Sequence, residues 1–127
     1  MENEEKLRQR ADEILNAIES MRGKVPVVNR VLSERPDLFV PNAELSMKLF
    51  EGEGRLDKKT RELVALGAAA ALGGQYCMKE HIRNAVALGA TRDEILEALE
   101  IAGYMCMTRS QSYSFRVFAD AYGMDVE

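Results

Sequence analysis

Cys77 stands four residues before His81, the only histidine of the chain, within the stretch LGGQYCMKEHIRNAVALG. Residues at i and i+4 lie one above the other on a helix, so the two side chains can meet if a helix begins by Gln75. A thiol reacts as its thiolate, and an imidazole and the partial positive charge of a helix N-terminus both stabilise that anion. The pair could thus be a nucleophile beside its base. Spacing alone does not decide the matter, because unpaired cysteine is among the most often buried residue types and a Cys–His pair at helical spacing is more often packing than chemistry.

Other residues carry weaker signals. Glu62 falls near the start of a helix, where a carboxylate commonly does no more than complement the helix dipole in solvent. Cys106 reads first as a small hydrophobe, and Met105 and Met107 as core filler. Two cysteines 29 residues apart cannot build a disulfide framework, and two cysteines with one histidine are a poor ligand set for structural zinc. No metal and no cofactor are expected.

The elements that must position Cys77 and His81 are helical. LDKKTRELVALGAAAALGG has Asp57 as a plausible N-cap and ends on Gly73 and Gly74. Its alanine-rich surface lets neighbours approach closely, so this helix is expected at the centre of the fold. The helix that carries Cys77 and His81 follows the two glycines and ends by Gly89, and so short a connection makes the two antiparallel. Thr91 and Glu94 have capping-box spacing at the start of the next helix. Upstream, Leu7, Ala11, Ile14, Leu15, Ile18 and Met21 form one apolar stripe, and prolines 26, 36 and 41 predict two or three short helices. SQSYSFRVFADAYG predicts a separate closing helix. With no period-two run of β-branched residues and no hairpin turn, the fold class is all-α, a helical bundle of six or seven helices around a central antiparallel hairpin.

At 127 residues, 46% hydrophobic and 30% charged, the sequence has the balance of one globular domain spanning residues 1–127. A net charge of −4, with 17 basic residues scattered among 21 acids, argues against nucleic acid as a partner. The N-terminal MENEEKLRQRADEIL lacks the apolar core of a signal peptide, and no apolar run reaches the roughly 20 residues of a membrane span. The expected location is the cytoplasm, without membrane association.

From about Pro36 to Tyr104 the sequence resembles the carboxymuconolactone decarboxylase superfamily, which includes the alkylhydroperoxidase D-like proteins. The resemblance lies in GRLDKKTRELVALGAAAALGGQYCMKEHIRNAVALGATRDEILEAL. The alkylhydroperoxidase branch has a glutamate on the central helix, then CxxCxxxH, then a helix ending in glycine. Glu62 matches that glutamate, Cys77 the second cysteine and His81 the histidine. Gly74 stands where the first cysteine would be, so the family's dithiol cannot form in its usual way. In the decarboxylase branch the cysteine pair is absent and a YCG-like segment follows the capping box, where this chain has GYMC with Cys106.

The resemblance implies a proton relay in which Glu62 orients His81 and His81 takes the proton from Cys77. It therefore expects Glu62, Cys77 and His81 in one partly buried pocket, with the imidazole between thiol and carboxylate. The thiolate would attack a hydroperoxide, as in a peroxiredoxin, or exchange with a disulfide, and the sulfenic acid left by a peroxide would need a second thiol. That thiol could be Cys106, a cysteine of another subunit or an external reductant. The resemblance also implies a homo-oligomer, a trimer or hexamer, and the apolar faces exceed what a monomer of this size must cover. Two other readings compete with the oxidoreductase. One is a lyase that decarboxylates a lactone acid, with Arg61, Arg83 and Arg109 as candidate clamps for the substrate carboxylate. The other is a scaffold subunit without turnover.

Overall fold

The computed structural model describes residues 1–126 and is helical throughout, with no strand among them. Six helices follow one another: α1 (Glu2–Arg22), α2 (Val27–Leu32), α3 (Pro36–Glu51), α4 (Lys58–Leu72), α5 (Gln75–Ala87) and α6 (Arg92–Ala121). None is long and apolar enough to cross a membrane. The chain divides into two compact units, Met1–Gly54 and Arg55–Glu127.

In the N-terminal unit the predicted apolar stripe of α1 packs on α3. Ala11 and Ile14 are buried against Phe39 and Val40, and Leu7, Leu15, Ile18 and Ala43 close around them. Arg8 reaches from α1 to donate to the carbonyl of Ser33 at 2.9 Å, while Ser33 turns its own hydroxyl onto the carbonyl of Arg30 at 2.7 Å. That satisfies a buried polar side chain at the end of α2.

The prolines do not all break helices. Pro26 precedes α2 and Pro36 opens α3, where a missing N–H costs nothing, but Pro41 lies inside α3. The carbonyl that loses its donor there is that of Asp37, an exposed residue that water can serve, and burial of Phe39 and Val40 holds the turn in place.

The C-terminal unit is built on α4, which packs against both α5 and α6. Asp57 caps it by accepting from the Thr60 N–H at 2.8 Å, and Gly73 ends it with φ 79°, a left-handed conformation that suits glycine. Leu66, Ala69, Ala85 and Ala102 are buried, drawn from all three helices. A Cβ on Gly67 would lie 3.8 Å from the Ala98 carbonyl, so α4 and α6 approach closely at that point. The capping box of α6 is complete: the Glu94 N–H donates to Thr91 Oγ1 at 3.1 Å, and the Thr91 N–H donates to Glu94 Oε1 at 3.0 Å. Lys59 then ties α4 to Glu94 Oε2 at 2.8 Å.

The closing helix expected from SQSYSFRVFADAYG is not separate. It continues α6 without interruption, giving a single helix of 30 residues. No proline intervenes, and the hydroxyls of Thr108 and Ser114 bond back to the carbonyls of Met105 and Ser110, so these residues fold onto the helix rather than competing with it.

Candidate active site

The two-glycine connection turns α4 back on α5, and this hairpin joins residues far apart in sequence. Glu62 lies in the second turn of α4 and is only 5% exposed. His81 lies midway along α5, with its side chain mostly buried. Glu62 Oε2 and His81 Nδ1 are 2.6 Å apart, across a sequence separation of 19. A carboxylate only accepts, so Nδ1 of the neutral ring carries the proton and Nε2 becomes its basic atom.

The second oxygen of Glu62 is also engaged. The side-chain amide of Asn84 donates to Glu62 Oε1 at 3.4 Å, a long hydrogen bond. Asn84 is one turn beyond His81 on the same face of α5 and is half-buried. The sequence reading missed it, although an i, i+3 relation to a candidate base was visible there.

Cys77 sits in the first turn of α5, one turn before His81, and is exposed rather than partly buried. The physical reason is local: the preceding residues are Gly73 and Gly74, which have no side chains to cover a thiol at the start of the helix. A Cβ placed on Gly74 would lie 3.5 Å from Cys77 Cβ and 3.7 Å from its Sγ. Cys106 is exposed as well, with its Sγ 3.8 Å from the Ala71 carbonyl in the last turn of α4. Of the arginines considered as substrate clamps, Arg61 donates to the Leu56 carbonyl at 2.9 Å and Arg83 to Glu80 at 2.8 Å. Among the described residues no group of three or more His, Cys, Asp or Glu side chains could hold a metal ion.

Residues 36–120 match the family model described as the carboxymuconolactone decarboxylase family. The chain belongs to that family. The matched span includes Glu62, Cys77, His81, Asn84 and Cys106. A Paracoccus denitrificans protein described as uncharacterized protein 4 in the cox locus is 31% identical over 84 residues, which are 64% of this chain and 76% of that one. An uncharacterized protein of Methanocaldococcus jannaschii is 30% identical over 66 residues, 52% of this chain and 61% of its own. Among solved structures, the alkylhydroperoxidase AhpD core of Rhodospirillum rubrum superposes with a TM-score of 0.66 at 27% identity, covering 100% of this chain and 90% of that one. The all-α architecture is thus the alkylhydroperoxidase D-like fold.

Proposed function

We propose that this family member is a thiol-dependent oxidoreductase that reduces hydroperoxides at Cys77, with His81 as the base and Glu62 as the residue that orients it. The observation that supports this reading best is the 2.6 Å contact between buried Glu62 and His81, one helical turn from a thiol at a helix N-terminus. A bare structural role would not require a carboxylate and an imidazole to be buried together beside an exposed cysteine.

The chemistry follows from these atoms. His81 Nε2 accepts the proton of the Cys77 thiol, and Nδ1 keeps its hydrogen bond to Glu62 as the ring becomes charged. The thiolate attacks the outer oxygen of a hydroperoxide: an S–O bond forms, the O–O bond breaks, and the departing alkoxide takes the proton from the imidazolium and leaves as the alcohol. Cysteine sulfenic acid remains. One external thiol condenses with it, forming a mixed disulfide and releasing water. A second external thiol then displaces Cys77 and leaves as the oxidised disulfide.

With Gly74 in place of the first family cysteine, an external low-molecular-weight or protein thiol is the reductant this reading favours. Cys106, on α6 against the end of α4, is the alternative within the chain. We also infer that the chain works as a homo-oligomer, since Tyr113, Phe115, Val117 and Phe118 of α6 and Tyr122 just after it lie exposed. The carboxy-lyase reading is weaker: of its three candidate clamps Arg61 and Arg83 are already bonded within the chain, which leaves Arg109, exposed on α6.

The deciding experiment measures loss of an alkyl hydroperoxide in the presence of several thiol donors, comparing the natural protein with Cys77→Ser. Consumption that depends on both Cys77 and an added thiol is expected. Equal rates in the two proteins would end the proposal.

A further inference from the structure

Glu62 has two oxygens and two partners. Oε2 meets His81 Nδ1 at 2.6 Å, and Oε1 receives the amide of Asn84 at 3.4 Å. Both partners come from one face of α5, and the carboxylate comes from α4. A carboxyl group can turn about the bond to its carbon skeleton, and a contact on one oxygen alone resists that turn less than a contact on each. A donor at each end defines the plane of the group. Because an ionised carboxylate offers no hydrogen, the nitrogen end of the Asn84 amide must face it, and the side-chain oxygen points away.

We propose that Asn84 is a positioning residue: by holding Glu62 Oε1 it aims Oε2 at His81 Nδ1, and so fixes the imidazole tautomer that leaves Nε2 as the basic atom. Burial gives this hold its force. Glu62 is only 5% exposed, so water is a poor substitute for either partner. The consequence for Cys77 rests on the oxidoreductase reading above, whereas the consequence for His81 does not.

The chain has one histidine, so the ring nitrogens of His81 can be followed without overlap by nitrogen-15 NMR. In the natural protein at alkaline pH, Nδ1 should show the shift of a protonated ring nitrogen and Nε2 that of an unprotonated one. Asn84→Ala, which favours the helix it sits on, should move both signals toward an average of the two tautomers and slow alkylation of Cys77 about threefold or more. Asn84→Leu, of similar size and with no donor, gives the same readout should the alanine variant fail to fold. A purely structural asparagine would change the melting temperature and leave the tautomer alone. Unchanged nitrogen shifts in a folded variant overturn the proposal. Shifts that move while Cys77 stays inert in the natural protein uphold the positioning of His81 and count against the oxidoreductase reading instead.

Discussion

Glu62 and His81, 19 positions apart in sequence, meet at 2.6 Å because two glycines fold α4 back on α5. In the proposed mechanism this contact keeps the ring oriented as it gains a proton. Glu62→Gln retains the size of the side chain and can still accept from Nδ1, but it removes the charge that favours the imidazolium. Alkylation of Cys77 at pH 7 should therefore slow by about tenfold, about 1.4 kcal/mol in the barrier, with the circular dichroism spectrum unchanged. An unaltered rate would remove Glu62 from the relay.

Gly74 and Cys77 stand where a dithiol would close. The Cβ that a side chain at position 74 would carry is 3.5 Å from Cys77 Cβ, at the short end of the separation found in disulfides, about 3.5–4.5 Å. Its φ of −81° is open to any residue, and its nearest neighbours would be at ordinary contact distance. Gly74→Cys should form a disulfide with Cys77 under mild oxidation, seen as the loss of two titratable thiols and of two hydrogens in mass. It should also reduce the dependence of hydroperoxide consumption on the identity of the added thiol. Persistence of both free thiols after oxidation would show that the start of α5 is not shaped for a dithiol.

Sequence and structure agree where the signals are local and physical. Asp57 with Gly73 marked the ends of α4, and Thr91 with Glu94 marked the start of α6, because caps satisfy backbone groups that the helix itself leaves without partners. The hairpin followed from the short connection. Continuity was harder to read: SQSYSFRVFADAYG predicts a separate closing helix, yet Thr108 and Ser114 bond to their own helix and α6 runs through. Pro41 misled for the opposite reason, since the burial of Phe39 and Val40 outweighs one missing hydrogen bond. Helical spacing brought His81 into consideration beside Cys77 and the family motif joined Glu62 to them, but Asn84 has no motif of its own. Its contact with Glu62 exists only once α4 and α5 are packed.

The helix starts also set an acid limit. The Thr60 N–H at the start of α4 holds the Asp57 carboxyl below its ordinary value of 3.8, and the Lys59 ammonium, followed by the Thr91 N–H, holds Glu94 below 4.5. A carboxyl depressed by folding contributes stability that is present above its unfolded value and lost as the pH falls through the folded one. The midpoint of urea unfolding should therefore respond little to these groups between about pH 5 and 7 and decline below about pH 4. Asp57→Asn, which keeps a capping oxygen, and Glu94→Gln should each flatten that decline. An identical acid slope in the double variant would assign it to other carboxylates.

Two substitutions in the C-terminal unit separate packing from capping. Leu66 is fully buried on α4, and Leu66→Ala should cost about 2–5 kcal/mol of stability through lost burial and the cavity left behind. Thr91→Ala removes the oxygen that accepts the Glu94 N–H and should cost about 1 kcal/mol. Denaturant titration ranks them directly. A Thr91→Ala penalty equal to that of Leu66→Ala would mean that the start of α6 carries more of the fold than its exposed cap suggests.

Cys106 tests which sulfur meets the oxidant. Its thiol is exposed and makes one weak contact, 3.8 Å to the Ala71 carbonyl, so Cys106→Ser should change stability by less than about 0.5 kcal/mol. Cys77 lies one turn from His81 on α5, whereas Cys106 lies on α6 against the end of α4. The proton acceptor in the proposed chemistry therefore serves Cys77. In Cys106→Ser the first, stoichiometric loss of hydroperoxide should keep its rate, and only the return of oxidised Cys77 to the thiol can differ. If Cys106 supplies the resolving sulfur, the variant accumulates sulfenic acid that a trapping reagent captures, and its turnover at low external thiol falls below that of the natural protein. If the external thiol resolves Cys77 directly, both proteins turn over alike at every thiol concentration. A slower first step in Cys106→Ser would mean that Cys106 is itself the attacked sulfur, and the Glu62–His81 pair would then lose its assigned nucleophile.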